Sequence, residues 1–539
     1  YYDISKLIID EGNIGGTLYG EVNGKQILDN NGYGLIDDGD QITFVSAPGV
    51  GYAHIDYTDI ERNAEGTHTI LANTVRYTTE PIEGNANFVT NFERMGYEIK
   101  LILGENGTVT LYNYDYNRGE YIEGVTYSEA GTYVTTVRHG YILKIDVKSK
   151  PGFAIESVTP INMPEDTSVT IPDNIYVKNL EFANVTGPFD VDMKFRRELW
   201  TDHPSDSLSG SGTKDDPYLI TNGHDWGYIA NQVNLNGVTF NDIYFLVKPE
   251  NGNVIDLDQY YFNPIGISND SAKQFKGIIM GDFNIIHNTK IESASTKVGF
   301  FIEQYGIVEN LTFKDVMVTS SAKGAYVGAI ASHNYGSLTN IQVTGTVDGA
   351  GYVGGLVGRH AKGTGKGTTF YFSLINSRNK GNITVNATVK TADCAIGGLV
   401  GFLIHTYSSV GGNWINEGKL TFTGAVEVGR LLVGGYVGAT DKAFSGKNNT
   451  IYNFGDIEIT GTMNSTANNR IGGLFGQVNK RFANCHVFCN IATKSLQNVG
   501  MLTGCARNSN TYGTNCSVGG AILSDYNEED ESYKTMTID

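Results

Sequence analysis

The sequence contains few cysteines, few prolines and no long hydrophobic segment. Its 539 residues include only 5 Cys and 11 Pro. Five unevenly placed cysteines do not make a disulfide framework, and an odd number leaves at least one thiol free. No apolar run approaches the roughly 20 residues that a membrane-spanning helix needs. We therefore predict neither a disulfide-stapled scaffold nor insertion into a membrane.

Positive charge is also scarce. There are 39 Lys and Arg residues against 58 Asp and Glu residues, which gives a formal net charge of -19. Such a chain is repelled by phosphate backbones and by anionic lipid, so we expect no nucleic-acid partner and no membrane-surface partner. The chain begins at Tyr1 rather than Met, as expected of a mature secreted protein or of an excised fragment.

Glycine and tyrosine are abundant. The chain has 67 Gly and 32 Tyr, together with many Thr, Val, Ile and Asn residues, a composition typical of β-strands joined by turns. A chain of this length exceeds one ordinary hydrophobic core, so several domains or a repeat array are expected. The predicted fold class is all-β, with two small tandem β-domains followed by a right-handed parallel β-helix or solenoid.

The first 197 residues contain a duplication. Residues 41–49 and 144–152 are both alternating strands that run into a Pro-Gly turn, and residues 88–94 match 191–197 at the same offset of 103. We predict one copy over 1–95 and a second over 96–197. The pattern resembles the bacterial repeat domains related to the B-repeats of listerial internalins, and that resemblance implies spacer or stalk modules on a secreted bacterial protein.

The second copy contains a tyrosine-rich stretch at 112–117. As a strand, it would place Tyr112, Tyr114 and Tyr116 on one face, and Tyr121 would extend the aromatic surface. Exposed tyrosine offers contact area at low rotamer cost and suits a sugar ring or a protein partner. The alternative is that these rings cover the sheet of their own small domain.

A polar stretch over 198–209 is predicted to be a linker, and the segment that follows to be a cap. The stretch over 226–234 has apolar residues at helical spacing, namely Trp226, Ile229, Ala230 and Val233. An amphipathic helix at this point would cover the open first edge of a parallel coil.

Two short motifs recur between residues 210 and 525. A pentamer of the type GGLVG supplies Gly354, Gly355, Gly358, Gly397, Gly398, Gly401, Gly434, Gly435, Gly438, Gly472, Gly473 and Gly476. An Asn-x-Gly turn begins at Asn379, Asn416 and Asn453, with a constant step of 37 residues. Fixed repeats whose units cannot bury their own apolar face indicate a solenoid.

The repeat unit is predicted to be a strand after the Asn-Gly turn, a connection, and a GGLVG strand. Apolar residues should stack inside and asparagines should form an amide ladder. We expect the glycines to permit tight bends and positive φ.

The array from 210 to 525 resembles the GLUG-motif family, whose repeats carry a Gly-Leu-Val-Gly core. That resemblance implies a secreted or surface-attached bacterial protein, often an adhesin. GLUG repeats also occur beside the catalytic domains of some peptidases that cut immunoglobulin A, but no catalytic motif is visible in this sequence.

Metal sites are weakly indicated. Four cysteines near His486 invite a zinc interpretation, namely Cys485, Cys489, Cys505 and Cys516. However, Cys485 and Cys489 alternate with apolar residues as strand positions do, and small buried cysteines are common in β cores. The acidic run Asp37-Asp38-Gly39-Asp40 could attract calcium, although it lacks the spacing of a calcium loop. We predict no metal site and no cofactor, with calcium the remaining candidate.

Three functions are compatible with this sequence. The first is an extracellular adhesin that binds a cell-surface glycan or protein and uses the solenoid as a rigid scaffold. The second is a stalk or fibre subunit that self-associates end to end. The third is a β-helix enzyme that cleaves polysaccharide with carboxylates such as Asp225, Asp256, Asp258 or Asp282. The acidic tail over 526–539 could shield an open edge or link to a further domain.

Overall fold

A computed structural model describes residues 2–3, 15–27, 35–54, 61–62, 65–71, 74–83, 88–89, 92–115, 118–361, 374–375, 377–385, 388–389, 393–404, 412–427, 429–440, 449–463, 468–478, 482–493, 498–506, 513–527 and 532–536. These residues form two compact units, 1–197 and 198–539. Strands dominate both units, which confirms the all-β fold class. No helix in the described part of the chain has the length and hydrophobicity needed to cross a membrane.

The first copy of the duplication is built on a five-stranded antiparallel sheet. Its strands, in spatial order, are Lys25–Gln26, Gly16–Val22, Thr43–Pro48, Thr74–Thr79 and Gly66–Leu71. Three strand pairs accompany it, namely Tyr2–Asp3 with Leu35–Ile36, Glu61–Arg62 with Phe88–Val89, and Tyr52–His54 with Phe92–Arg94. A small cluster of buried side chains that includes Ile42, Phe44, Val75 and Tyr77 forms its core.

The second copy consists of two four-stranded sheets. One sheet has the order Gly131–Arg138, Gly96–Leu103, Phe189–Arg197 and Phe153–Ile161. The other has the order Glu120–Tyr127, Gly107–Asp115, Leu143–Ser149 and Val177–Phe182. Alternate residues from both sheets, including Leu101, Val109, Ile145, Leu180 and Val191, are fully buried in one shared core. The opposite faces of these strands point outward.

Both copies pair the strand before the Pro-Gly turn in the same way. Thr43–Pro48 has an antiparallel neighbour on each side, and so does Leu143–Ser149. Residue 95, the predicted boundary, is hydrogen-bonded to both copies: Met95 N donates to Gly51 O, and His139 N donates to Met95 O. The first unit therefore runs continuously through this point.

The second unit begins at residue 198, not at residue 210. Trp200 lies in the 3₁₀ turn Trp200–Asp202, is buried, and donates its ring N–H to Leu257 O at 3.3 Å. The start of the predicted linker over 198–209 is thus part of the solenoid, because a buried indole anchors it. The single α-helix among the described residues, Gly223–Asn234, follows and buries the four apolar residues at helical spacing.

Parallel strands stack into coils behind this helix. The largest sheet contains Tyr218–Ile220, Tyr244–Val247, Val254–Asp256, Ile278–His287, Lys290–Ser293, Lys297–Val298, Ile307–Gly328, Ser337–Gly354, Leu374–Ile375, Ser377–Asn379, Asn382–Val385, Cys394–Gly397, Gly412–Asn416, Leu420–Phe422, Leu431–Gly434, Asn449–Asn453, Ile457–Ile459, Arg470–Gly472, Cys485–Phe488, Ile491–Thr493, Val499–Gly500, Ser517–Gly519, Ile522–Asn527 and Ser532–Met536. A second parallel sheet contains Phe301–Gln304, Ala331–Asn334, Val357–His360, Val400–Leu403, Val437–Thr440, Phe475–Val478 and Thr503–Ala506. Shorter parallel groups are Thr388–Val389 with Ala425–Val426 and Thr462–Met463, and Phe482–Ala483 with Gly513–Thr514.

Apolar residues at equivalent positions stack along the interior. Val353, Ile396, Val433 and Ile471 are register partners on successive coils, and all four are fully buried. At the far end, Ser532–Met536 within the predicted acidic tail pairs antiparallel with Ile522–Asn527. This antiparallel strand occupies the edge at which a further parallel strand would otherwise pair.

The GGLVG pentamer is a corner and not a single strand. One strand ends at Gly354 and the next begins at Val357 in the other sheet, and later coils repeat this arrangement. The expectation of positive φ at the motif glycines was wrong, since none of them is among the positive-φ residues of the described chain. Glycine is required at these positions because a β-carbon would overlap neighbouring backbone. A β-carbon on Gly354, for example, would lie 2.7 Å from Gly401 N.

Candidate functional site

Two of the predicted tyrosines lie on the outer face of the second copy. Tyr112 and Tyr114 belong to Gly107–Asp115, whose residues Val109 and Leu111 face the core, so the alternate residues point outward. Tyr116 lies outside the described residues. Tyr112 and Tyr114 therefore lie on one face of the strand, as predicted.

A β-bulge brings Tyr121 onto the same face. The neighbouring strand Glu120–Tyr127 pairs Thr126 with Thr110 but Glu123 with Tyr112, so it carries one extra residue between these pairs. An extra residue reverses the alternation of side chains beyond it. As a result Tyr121 is directly opposite Tyr114, and the two side chains share a face.

The rings are in contact with one another and with a cation. Tyr114 and Tyr121 pack edge to face, with centroids 5.1 Å apart and planes at 67°. Lys144 Nζ lies 5.5 Å from the Tyr112 ring centroid and 5.6 Å from the Tyr121 centroid. We define Tyr112, Tyr114, Tyr121 and Lys144 as the tyrosine face. Tyr114 is its most open ring, with 42% of its surface exposed.

Hydrogen bonds and an ion pair hold this face in place. The Tyr112 hydroxyl donates to Asp146 Oδ2 at 2.8 Å, and this bond raises the pKa of Tyr112 above its usual value. Partial burial raises the pKa of Tyr121. Lys144 Nζ is 3.1 Å from Glu181 Oε1 on the next strand. Tyr112 and Tyr121 are thus neutral hydrogen-bonding groups at ordinary pH, beside one cation and two carboxylates.

The tyrosine face borders an open groove of about 490 Å³. Besides the three tyrosines, residues from 135–143 line the groove, among them Arg138, Tyr141 and Ile142. A cavity of this size matches the lower end of the range found for small-molecule sites. The arrangement can accommodate a ring-shaped ligand against aromatic surface, with charged and hydroxyl groups beside it to bond its polar substituents.

The first copy lacks the part of the strand that carries this face. In the first copy, Glu21 of the strand Gly16–Val22 pairs with Thr43. In the second copy, Thr110 pairs with Asp146, the equivalent of Thr43, so Glu21 and Thr110 are equivalent positions. Immediately after Val22, the chain turns at Asn23 and Gly24, which have φ values of 51° and 74°. The second copy continues for four more residues at the equivalent point, through Asp115. The tyrosine-bearing extension is therefore a difference between the two copies.

Sequence reasoning did not identify Lys144, Asp146 or the bulge. Lys144 and Asp146 alternate with core residues in Leu143–Ser149, and pairing that strand with the tyrosine strand would have placed them beside the rings. The bulge has no comparable signal. Gly124 and Val125 stand opposite a single residue of the partner strand, and this mismatch can be recognised only when the pairing of the two strands is known.

The repeat asparagines form the predicted amide ladder. Asn379 Nδ2 donates to Asn416 Oδ1 at 2.9 Å, and Asn416 Nδ2 donates to Asn453 Oδ1 at 2.7 Å. Each amide also bonds the backbone of the glycine two residues later in its own turn, as with the 3.0 Å bond from Gly381 N to Asn379 Oδ1. All three asparagines are fully buried. The ladder is consequently a structural element and not a ligand site.

The glycine pairs of the corners lie against this ladder. Gly355, Gly398 and Gly435 stand over the side chains of Asn379, Asn416 and Asn453 respectively, with no space for a β-carbon. The other motif glycines pack against backbone of the same or adjacent coils, namely Gly354, Gly358, Gly397, Gly401, Gly434, Gly438, Gly472, Gly473 and Gly476, although Gly473 also meets the Val487 side chain. The two recurring sequence motifs are therefore one packing unit.

The candidate metal ligands are not brought together. Cys485 points inward from Cys485–Phe488, whereas His486 points outward, stacks on Tyr452 and bonds Ser517 Oγ at 2.7 Å. Within the described part of the chain, no group of three or more His, Cys, Asp or Glu side chains is placed to hold a metal ion. The run from Asp37 to Asp40 forms a turn closed by a 3.1 Å bond from Asp40 N to Asp37 O.

The four acidic residues of the enzyme hypothesis have different surroundings. Asp225 accepts bonds from Ser205 Oγ at 2.6 Å and from Thr221 N at 2.7 Å, which ties the helix to the preceding chain. Asp258 pairs with Lys290 at 2.5 Å, and Asp256 accepts a bond from Asn288 Nδ2 at 3.0 Å. Asp282 adopts a left-handed backbone conformation with φ of 50°. The contacts of Asp225, Asp256 and Asp258 join neighbouring segments of the solenoid.

Parts of the chain are similar to curated proteins. A stretch of 200 residues is 32% identical to halomucin of Haloquadratum walsbyi, and covers 36% of this chain but 2% of halomucin. A stretch of 192 residues is 29% identical to an Evansella cellulosilytica protein provisionally named as a Gly-rich membrane protein, and covers 28% of this chain and 21% of that protein. The matches thus span only a small part of either relative.

Among solved structures, a Bacteroides ovatus protein provisionally described as an immunoglobulin A1 protease is similar over 61% of this chain and 81% of its own. The sequence identity is 19% and the TM-score is 0.34, which is too low to establish a shared fold. No family model matches the chain. The resemblances to GLUG repeats and to internalin B-repeats therefore stay predictions.

Proposed function

We propose that this chain is part of a secreted or surface-attached bacterial adhesin, and that its tyrosine face binds a glycan. The observation that carries the proposal is the extended hairpin of the second copy, whose bulge turns Tyr121 onto the outward face of Tyr112 and Tyr114, with Lys144 over two of the rings. A relative provisionally named as a membrane protein supports placement at a cell surface.

A glycan is favoured over a large protein partner by the size and chemistry of the face. The groove of about 490 Å³ suits one or a few sugar rings. Tyrosine rings supply apolar area for the C–H faces of a sugar, while the Arg138 guanidinium in the groove lining and the Lys144 ammonium beside the rings can bond its hydroxyl groups. Polysaccharide cleavage is a weaker candidate than binding, because Asp225 and Asp258, two of the acids considered for catalysis, are engaged with Ser205 and Lys290.

In this proposal the solenoid is a rigid scaffold. Its interior combines stacked apolar residues with a buried amide ladder, and such arrays gain stability from each neighbouring coil. A stalk or fibre subunit is the second candidate. The antiparallel strand Ser532–Met536 weighs against a fibre that continues through the largest sheet, because it occupies one of the edges needed for end-to-end stacking.

The experiment is a binding screen of the purified full chain against a panel of microbial and host glycans, followed by titration of any hit. Replacement of Tyr114 or Tyr121 by alanine should weaken binding roughly tenfold or more, as loss of a central aromatic contact does. Phe454→Ala is the matched control, because Phe454 is a comparably exposed aromatic residue in the solenoid, at 44%. Equal losses in all three variants, or no loss at the tyrosines, would reject the proposed site.

A further inference from the structure

Two of the five cysteines are stacked on neighbouring coils. Ala483 pairs with Thr514 and His486 pairs with Ser517, and both pairs differ by 31 positions. Cys485 and Cys516 lie between these two pairs, and their residue numbers also differ by 31. They are therefore directly opposite each other on the two strands. Adjacent strands run about 4.8 Å apart, which lies inside the Cα–Cα range of disulfide-bonded cysteines.

The two thiols also have matching orientations. Cys485 Sγ donates to Ala483 O at 3.3 Å, and Cys516 Sγ donates to Thr514 O at 3.3 Å. Since Ala483 and Thr514 are themselves register partners, both side chains point to the same side of their strands. Each sulfur therefore stands beside the other along the axis of the coils.

From this geometry we propose that Cys485 and Cys516 form a disulfide that joins two successive coils near the C-terminal end of the solenoid. The bond would close a loop of 31 residue steps and hold the edge coil to its neighbour. Edge coils of a solenoid have a neighbour on one side only, so they gain most from such a crosslink.

The environments of the two thiols indicate the order of the reaction. Cys516 is half-buried, and its hydrogen bond with Cys485 lowers its pKa to about 6. Cys485 is fully buried, and the same hydrogen bond and its burial raise its pKa. Because the thiolate is the nucleophile, Cys516 is the attacking residue and Cys485 resolves the intermediate.

The oxidant in this reaction is a small-molecule disulfide. Cys516 thiolate attacks one of its sulfurs, forms a mixed disulfide and releases the first small thiol. Cys485 then loses its proton and attacks Cys516 Sγ, which releases the second small thiol and forms the protein disulfide. The two cysteines lose two electrons, the small disulfide gains them, and the two protons end on the released thiols.

The test uses the full chain, reduced, freed of reductant and then incubated with oxidised glutathione. Remaining thiols are alkylated and counted by intact mass, and cleavage after Lys and Arg locates the crosslink. We expect the thiol number to fall from five to three and the peptide over 482–494 to be joined to that over 508–534. Five remaining thiols, or any other pairing, would overturn the proposal.

Variants assign the pair. The peptide over 482–494 contains both Cys485 and Cys489, so Cys489→Ser distinguishes them and should leave the crosslink intact. Cys505→Ser is a second control with the same expected result. Cys516→Ser should abolish the crosslink, and a crosslink that persists in this variant would contradict the pairing. The peptide map of the unaltered chain decides the proposal even where a variant does not fold.

Discussion

Gly355 lies directly over the side chain of Asn379, so that a β-carbon at position 355 would stand only 2.5 Å from Asn379 Cγ. The corner glycine and the ladder asparagine come from different motifs, which the sequence repeats separately. Their contact explains why both motifs recur: the buried amide ladder occupies the space that any side chain on the corner would need.

The first prediction is that Gly355→Ala destabilises the solenoid. The added methyl group meets the Asn379 side chain and Gly398 backbone, and backbone cannot move aside as a flexible side chain can. We expect a loss of about 3 kcal/mol in the free energy of unfolding, at the upper end for overpacking. Chemical denaturation followed by circular dichroism measures it. As a control, Gly131→Ala adds a methyl group whose nearest neighbour is the Tyr133 ring at 3.7 Å, an ordinary contact distance, and it should change stability little.

The second prediction concerns the amide ladder. Asn416→Ala removes the bonds to Asn379 and Asn453, so each of these buried amides loses one partner and keeps only the bonds within its own turn. We expect a cost of about 3 kcal/mol, because each such group contributes a desolvation penalty. Asn340→Gly is the comparison: it removes a half-buried amide that bonds Asn310 and retains a residue suited to φ of 54°. If both variants lose the same stability in urea titrations, the ladder has no special role.

The third prediction separates the hydroxyl of Tyr112 from its ring. Tyr112→Phe removes the bond to the buried carboxylate of Asp146 but keeps the aromatic surface. We expect a loss of about 1.5 kcal/mol in stability of the first unit, typical of a hydrogen bond to a charged group. Glycan affinity should fall by less than in Tyr114→Ala. Calorimetric titration and thermal unfolding of the same samples provide both values.

The fourth prediction is a pH dependence. Burial, together with the nearby Lys297 and Arg359 cations, lowers the pKa of His333 to about 3, whereas an unfolded histidine titrates near 6.5. Between pH 6.5 and 3 the unfolded state binds a proton that the folded state does not. The contribution of His333 to the free energy of unfolding is therefore fully present above pH 6.5 and is lost as the pH falls toward 3. The slope contributed by this group is up to about 1.4 kcal/mol per pH unit.

His333→Gln removes this titration and keeps a polar side chain beside Ser332, which bonds the native imidazole at 3.1 Å. Denaturant midpoints of both proteins from pH 7 to pH 4 should converge as the pH falls. Parallel curves would contradict a lowered pKa of His333 in the folded state.

The repeat array could be predicted from the sequence because the motifs that define it are short and recur at a fixed spacing. The step of 37 between Asn379, Asn416 and Asn453 predicts stacked turns, and the structure has them in register. Helical spacing likewise predicted Trp226 and its apolar neighbours on one buried helix face. Periodicity identifies such elements without any knowledge of distant partners.

Other features depend on pairing that periodicity does not reveal. The glycines were expected to serve bending, but part of their constraint comes from a coil one repeat away, as at Gly355 and Gly398. The polar stretch after residue 197 looked like a linker, although Trp200 anchors it to Leu257 O in the solenoid. The bulge that turns Tyr121 toward Tyr114 is likewise a property of two strands together.

The most direct test of the tyrosine face converts the second copy to the pattern of the first. Replacing residues 112–124 by Asn-Gly joins Leu111 to Val125 through the same two-residue turn that follows Val22, and removes the extension while keeping the paired core strands. The measurement is calorimetric binding of the best glycan from the screen to this variant and to the unaltered chain. The account predicts loss of binding with the thermal unfolding of the first unit retained. Undiminished affinity in the folded variant would contradict it.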